Sequence, residues 1–336
     1  MMFNMKKKVC IIVAGVVMSL VARDGMACAS CGCSLNADWS TQGLSSHPGW
    51  SLDLRNDDLN QNQLRSGTGS ISPYAASHSY NPTTSSLAEV EKYTKTQTVT
   101  ATIDYNNGET WGVSMSVPYV NRSHQTLGTN SPDGLQVGVG AYDSQASGMG
   151  DIRLIGRYYG FFEQKNVGLQ FGLKLPTGQT NQFANDGTTQ VDPGLQLGTG
   201  TTDILFGAYY FGNLNDNWGY FGQVMFQTAI TQAQYFGQTY QPGASVNLNA
   251  GIRYEGLSWI SPTLQINTRV VNTDTGAAAD LYSTGGTLVY LTPGFTMPVS
   301  DQVMLYANVQ IPIYENLTGI QLAPSYIGSV GMKYSF

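Results

Sequence analysis

The sequence predicts an all-β protein: a transmembrane, antiparallel, up-and-down β-barrel of about twelve strands behind a cleaved signal peptide. Three observations predict it. Apolar and polar residues alternate with period two along stretches of about ten to thirteen residues, the length a tilted strand needs to cross a bilayer. The connections between these stretches are alternately short and long. Charge is scarce: 11% of the 336 residues are charged, where soluble domains carry about 25%.

From the start of the chain, "MKKKVCIIVAGVVMSLVA" sets Lys6, Lys7 and Lys8 before an apolar run too short for a membrane-spanning helix. It reads as a secretory signal over residues 1–27, cleaved before Cys28. Its loss takes Lys6, Lys7, Lys8, Arg23 and Asp24, so 16 basic and 22 acidic residues become 12 and 21, a net charge of −9. An acidic chain without basic runs argues against nucleic acid as a partner. No later stretch is long and apolar enough for a spanning helix, which leaves a secreted β protein or an outer-membrane barrel.

Residues 28–49 form a cysteine-containing segment on the periplasmic side or a plug, opening "CASCGCSLNADW". Cys28, Cys31 and Cys33 could gather a soft ion such as copper or zinc, because thiolates hold such ions best. They could equally form one disulfide with a thiol left over, or Cys28 could be lipidated. Haem attachment would need a His after C-x-x-C, and Gly32 stands there.

Residues 50–336 are the barrel. The strands are expected at 50–60, 94–106, 111–122, 150–162, 166–176, 201–213, 217–231, 244–255, 262–272, 286–297, 302–314 and 325–336. In "SVNLNAGIRY", Val246, Leu248, Ala250, Ile252 and Tyr254 share one face and Asn247, Asn249 and Arg253 the other. In the last stretch, Val330, Met332, Tyr334 and Phe336 oppose Ser329, Lys333 and Ser335. The short connections are "NNGE", "EQK", "NLND", "GLSWIS" and "VSD"; the long ones are rich in Gly, Ser, Thr, Asn and Gln. An even strand number with this alternation places the short turns, the N-terminal segment and the C-terminus in the periplasm and the long loops outside. The first and last strands then pair. Tyr105, Trp111, Phe162, Trp218, Tyr254 and Phe336 sit near the periplasmic boundary, as interfacial aromatics do. A soluble sandwich would have shorter strands and an outward face of Lys and Glu.

The inward parity carries most strand charge. Strands one and two supply Asp53, Arg55, Asp57 and Asp104, and the fourth Asp151, Arg153 and Arg157. Lys174, Asp203, Arg253, Arg269 and Lys333 complete the set. Unpaired charge in a dry interior is expensive, so this lumen is wet or internally paired. Two readings stand: a network that fills the barrel, or a narrow path favouring anionic or polar solutes. A Ser–His pair on one lipid-facing wall would suggest a lipase; Ser123 and His124 have opposite parities, so no enzyme is expected.

Several phrases together resemble a known family: "DLRNDDLNQNQLRSGTG", "GMGDIRLIGRYYGF", "GLKLPTGQTN", "LQLGTGTTDILFGAYYFG" and "VQIPIYENLTGIQLAP". They are similar to the Gram-negative outer-membrane β-barrel transporters named for the meta-pathway of phenol degradation, over about residues 50–336. The resemblance implies an outer-membrane protein that takes up small, often aromatic or hydrophobic molecules. Tyr334 and Phe336 resemble the C-terminal signal read by the outer-membrane assembly machinery. The expected partners are the lipid bilayer, that machinery and a small-molecule solute. No cofactor is expected, a soft metal at the three cysteines apart. The alternative function is a barrel-anchored accessory protein that holds copper, zinc or a redox partner through those cysteines.

Overall fold

Side chains alternate across a strand, so each polar-in, apolar-out segment needs water on one side and lipid on the other. The structure, a computed structural model, describes residues 48–336. The expected signal peptide and the three cysteines lie outside the described residues. No helix among the described residues is long and apolar enough to cross a membrane, so crossing falls to strands.

The main strands are β1 (Gly49–Gly67), β2 (Glu91–Asn106), β3 (Trp111–Thr126), β4 (Tyr142–Met149), β5 (Ile152–Tyr158) and β6 (Val167–Leu175). There follow β7 (Asp203–Asn215), β8 (Trp218–Ala229), β9 (Ser245–Tyr254), β10 (Ser261–Val271), β11 (Gly286–Pro298) and β12 (Val303–Ser335). Apart from β4 and β5, which both lie against β3, each pairs antiparallel with its neighbours in sequence, and β12 returns to β1 in a register from Ser51↔Ser335 to Gly67↔Leu317. The barrel is closed.

Two details fix the number of staves. β4 and β5 both pair with β3, one against Tyr119–Thr126 and the other against Trp111–Ser116, so they form a single stave broken at Gly150 and Asp151. β12 is 33 residues long and would reach about 110 Å if straight. It doubles back instead. Its first arm pairs with β11 and its second with β1, Gly319 takes a φ of 54° near the fold, and Ser335 N donates to Gln302 O at 2.8 Å. Inside this hairpin the Tyr306 ring lies over Gly331, where a Cβ would collide with it. Counting both arms gives twelve staves.

Ladders run further than the alternation does. The first strand, expected over 50–60, pairs to Gly67, and the fourth, expected over 150–162, is the broken stave 142–158. Apolar alternation records contact with lipid, whereas backbone pairing continues above it, where both faces are wet. At the rim of short turns, aromatic rings form a girdle: Trp50–Tyr105 at 5.0 Å between centroids, Tyr105–Trp111 at 5.5 Å, Trp218–Tyr254 at 5.0 Å and Tyr334–Phe336 at 4.9 Å. Both ends of the barrel chain meet at that rim, where Phe336 N donates to Trp50 O. The outward residues above it, such as Met115, Phe171, Phe206 and Ile266, are exposed and apolar.

Candidate functional site

Register brings the charged inward residues side by side. Lys333 pairs with Asp53, Asp53 with Thr102, Thr102 with Ser116, Ser116 with Arg153, Arg153 with Lys174, and Lys174 with Asp203. This is one unbroken lateral row across seven strands. The facing arc carries a chain of neutral amides. Gln223 donates to Gln170 at 2.7 Å, Asn249 to Gln223 at 3.3 Å, Asn267 to Asn249 at 3.0 Å, and Thr292 to Asn267 at 2.5 Å. Buried amides stay buried only when they satisfy one another, and this chain does so. With the apolar cluster of Leu59, Leu288, Tyr290, Leu317, Ala323 and Ile327, it fills part of the interior.

The rest of the interior holds a cavity of about 250 Å³. Of the expected lumen residues, Asp53, Arg55, Asp104 and Arg153 line it. Lys174, Asp203, Arg269 and Lys333 line it too. Arg157 and Arg253 do not; they lie nearer the short-turn rim, Arg157 on Asp104 at 2.7 Å and Arg253 on Glu255 at 2.5 Å. Other charges in the cavity are held in place. Arg55 reaches Asp57 at 2.9 Å, Tyr306 Oη donates to Asp53 at 2.9 Å, and Lys174 sits 3.3 Å from Asp151 and 3.0 Å from Asp203. A second cavity of about 140 Å³ opens at the short-turn rim and shares Ser51, Asp104 and Lys333 with the first. Those three residues line both cavities.

The opposite end is roofed. The connection between β6 and β7 folds inward, and Pro193, Gly194, Gln196, Gly198 and Thr199 line the cavity. Arg122 of β3 clamps it: Nη1 donates to Gly194 O at 3.1 Å and Gln196 O at 2.9 Å, while Nε donates to Thr96. Asp151, in the break between β4 and β5, accepts from Gly178 N at 3.0 Å and Thr199 N at 2.9 Å. Lys174 also donates to Thr199. Tyr235 Oη donates to Gly198 O at 3.0 Å, and Leu197 packs on Val120 and Ala146. Gly178 and Gly198 cross so closely that a Cβ on Gly178 would stand 2.7 Å from the Gly198 Cα. The glycines of "LPTG" and "LGTG" therefore serve a backbone crossing.

Arg122 was open to the parity argument, since it lies inward on β3 two positions from His124, but its carbonyl partners arrive from a distant loop. His124 itself is buried against Thr94, its Nδ1 2.8 Å from Thr94 Oγ1. The acidic groups of the long connections around the roof, Glu89 before β2, Asp192 between β6 and β7 and Asp274 between β10 and β11, carried no pattern. Burial first, then the carboxylates of Asp192 and Glu91, hold Glu89 well above the usual carboxylate range. Burial and Asp280 raise Asp192, against a hydrogen bond from Tyr142. Asp274 is raised by burial, although Gly243 N and Tyr240 Oη donate to it.

A carboxyl whose value is raised by the folded arrangement favours that arrangement when protonated, and the advantage is lost as pH rises through the raised value. The roof is therefore tighter in mild acid than at alkaline pH. Proteolysis of the loops, followed from pH 5 to pH 8, will speed up as pH rises, and Glu89→Gln will flatten that dependence. A rate independent of pH, or one that falls, contradicts it.

Neither a protein-family model nor a curated protein sequence matches the chain. Solved structures do. An outer-membrane channel from Pseudomonas putida F1 superposes with a TM-score of 0.60 at 10% identity, over 86% of this chain and 96% of that one. The fold is that of outer-membrane barrels. The transport unit of the autotransporter AIDA-I from Escherichia coli superposes with a TM-score of 0.50 at 12% identity, over 92% and 95% of the two chains. At these identities the likeness concerns the path of the backbone, and residue roles rest on the geometry above.

Proposed function

We propose that this barrel is an outer-membrane channel that passes small solutes, with a preference for polar and anionic ones, along one side of its lumen. The observation that carries the reading is the pair of cavities that share Ser51, Asp104 and Lys333 in their walls, one beneath the roof and one at the short-turn mouth, beside a charged row. A barrel stiffened only by its filling would need no such cavities. The outer-membrane channel of similar fold supports the same role. The short-turn rim faces the periplasm and the loops face outside, as turn lengths in such barrels dictate. Tyr334 and Phe336, at the seam between last and first strands, present the assembly signal there.

The resemblance to phenol-pathway transporters points to small aromatic or hydrophobic cargo, and the lining selects within that range. Its guanidinium and ammonium groups outnumber its carboxylates by one, and together with the hydroxyl groups they favour molecules that bring a negative charge. The β6–β7 connection folds over the upper end of this path, and its movement admits the solute.

Purified full-length protein in planar bilayers will show discrete, infrequent openings whose reversal potential in a potassium chloride gradient lies on the chloride side. A variant lacking residues 180–196 will stay open. No conductance from either protein overturns the reading.

A further inference from the structure

Arg153 is the part of the lumen that structural pairing leaves over. The carboxylates closest to it along the row are already taken. Asp203 accepts from Lys174, from Thr201 Oγ1 at 2.7 Å and from Gln227 Nε2 at 2.6 Å. Asp151 accepts from Lys174, Gly178 N and Thr199 N. Among the described residues no ion pair is formed by Arg153, and its surroundings combine the attraction of Asp203 and Asp151 with the repulsion of Arg269 and Arg55. All three arginines line the same cavity, from β1, β5 and β10, which are well separated around the ring. Arg55 is tethered from its side by Asp57, and Arg269 Nη1 donates to Asn247 at 3.1 Å.

The remaining wall is hydroxylated. Thr98, Thr100 and Thr102 are successive inward positions of β2, and Ser114 and Ser116 of β3 stand beside them. Thr102 Oγ1 and Ser116 Oγ are 2.8 Å apart, one row step from Arg153. A hydroxyl both donates and accepts, so such a ladder meets the hydroxyls of a guest whichever way they turn. A guanidinium takes a carboxylate through two parallel N–H bonds, and like charges gathered round a cavity make an anion there more favourable still. The space, about 250 Å³, lies below the roughly 300 Å³ at which pockets for drug-sized ligands begin, so the guest is small.

We infer that the lumen holds a binding site for a small hydroxylated carboxylate, its acid group on Arg153 between Arg55 and Arg269 and its hydroxyls on the Thr98–Thr100–Thr102 ladder. The site deepens the channel reading by naming a cargo class, and its test does not depend on transport. Bare aliphatic acids lack the ladder contacts, neutral sugars lack the charge, and cations meet three arginines.

Titration calorimetry on the full chain in detergent tests this with sodium gluconate, propionate, glucose and inorganic phosphate. Gluconate will bind more tightly than the other three. Arg153→Gln will weaken gluconate by about tenfold or more, the loss expected for a charge-assisted pair. Arg253→Gln, outside the cavity, will leave it unchanged. Thr102→Val, which keeps every charge, will weaken gluconate but not propionate and serves if Arg153→Gln does not fold. Equal affinity for gluconate and glucose, tighter binding of phosphate, or gluconate binding unaltered in both Arg153→Gln and Thr102→Val overturns the site. Channel activity without gluconate binding removes the site alone. Gluconate binding without conductance removes the channel and leaves the site.

Discussion

Arg122→Ala will turn a mostly closed barrel into a mostly open one. Its guanidinium holds two carbonyl oxygens of the roof from a buried position on β3. A hydrogen bond from a charged group is worth about 1.5–3 kcal/mol, and about 1.4 kcal/mol is a tenfold change in an equilibrium. Removing the clamp should therefore raise the open fraction by about tenfold or more. Asp151→Asn weakens a second clamp, on Gly178 and Thr199, from the other side of the same segment. The double variant should open further than either single one, because the two clamps share no partner atoms. Open probability in planar bilayers measures this. An Arg122→Ala barrel that opens no more often than its parent would show that the β6–β7 connection is not the barrier.

Lys174→Met will cost the barrel several kcal/mol of stability. Lys174 is 3% exposed and lies between Asp151 and Asp203. Withdrawing the cation leaves two buried carboxylates facing each other, and breaking a buried pair by removing one partner costs about 3–5 kcal/mol. The comparison that separates charge from packing is Lys174→Met with Asp151→Asn and Asp203→Asn. That triple variant should regain part of the loss, since the two carboxylates no longer repel each other, although Arg153 loses their attraction. Unfolding in urea, followed by the heat-dependent gel shift of folded barrels, reports both. Equal losses in the single and triple variants would assign the effect to volume.

Much of the interior could be read from the chain because lipid imposes a strict test on every second residue. Asp53, Arg153, Lys174, Asp203 and Lys333 all face inward as their parity requires, and register alone lines them up. Parity assigns a face and says nothing of height. That is why Arg157 and Arg253, inward as expected, stand apart from the main cavity beside Asp104 and Glu255. The roof was hidden for a different reason. Arg122 meets carbonyl groups, which every residue owns, and their approach depends on a connection whose Gly, Thr and Gln obey no period. The break between β4 and β5 was equally silent, because Asp151 leaves the ladder to hold loop amides rather than to change its face.

The wall common to both cavities, at Ser51, Asp104 and Lys333, straddles the seam where the last strand meets the first. Two of its residues come from the start of the barrel and one from its finish. That wall comes into existence only at the moment the ring shuts, so the interior takes its final shape in the last step of assembly.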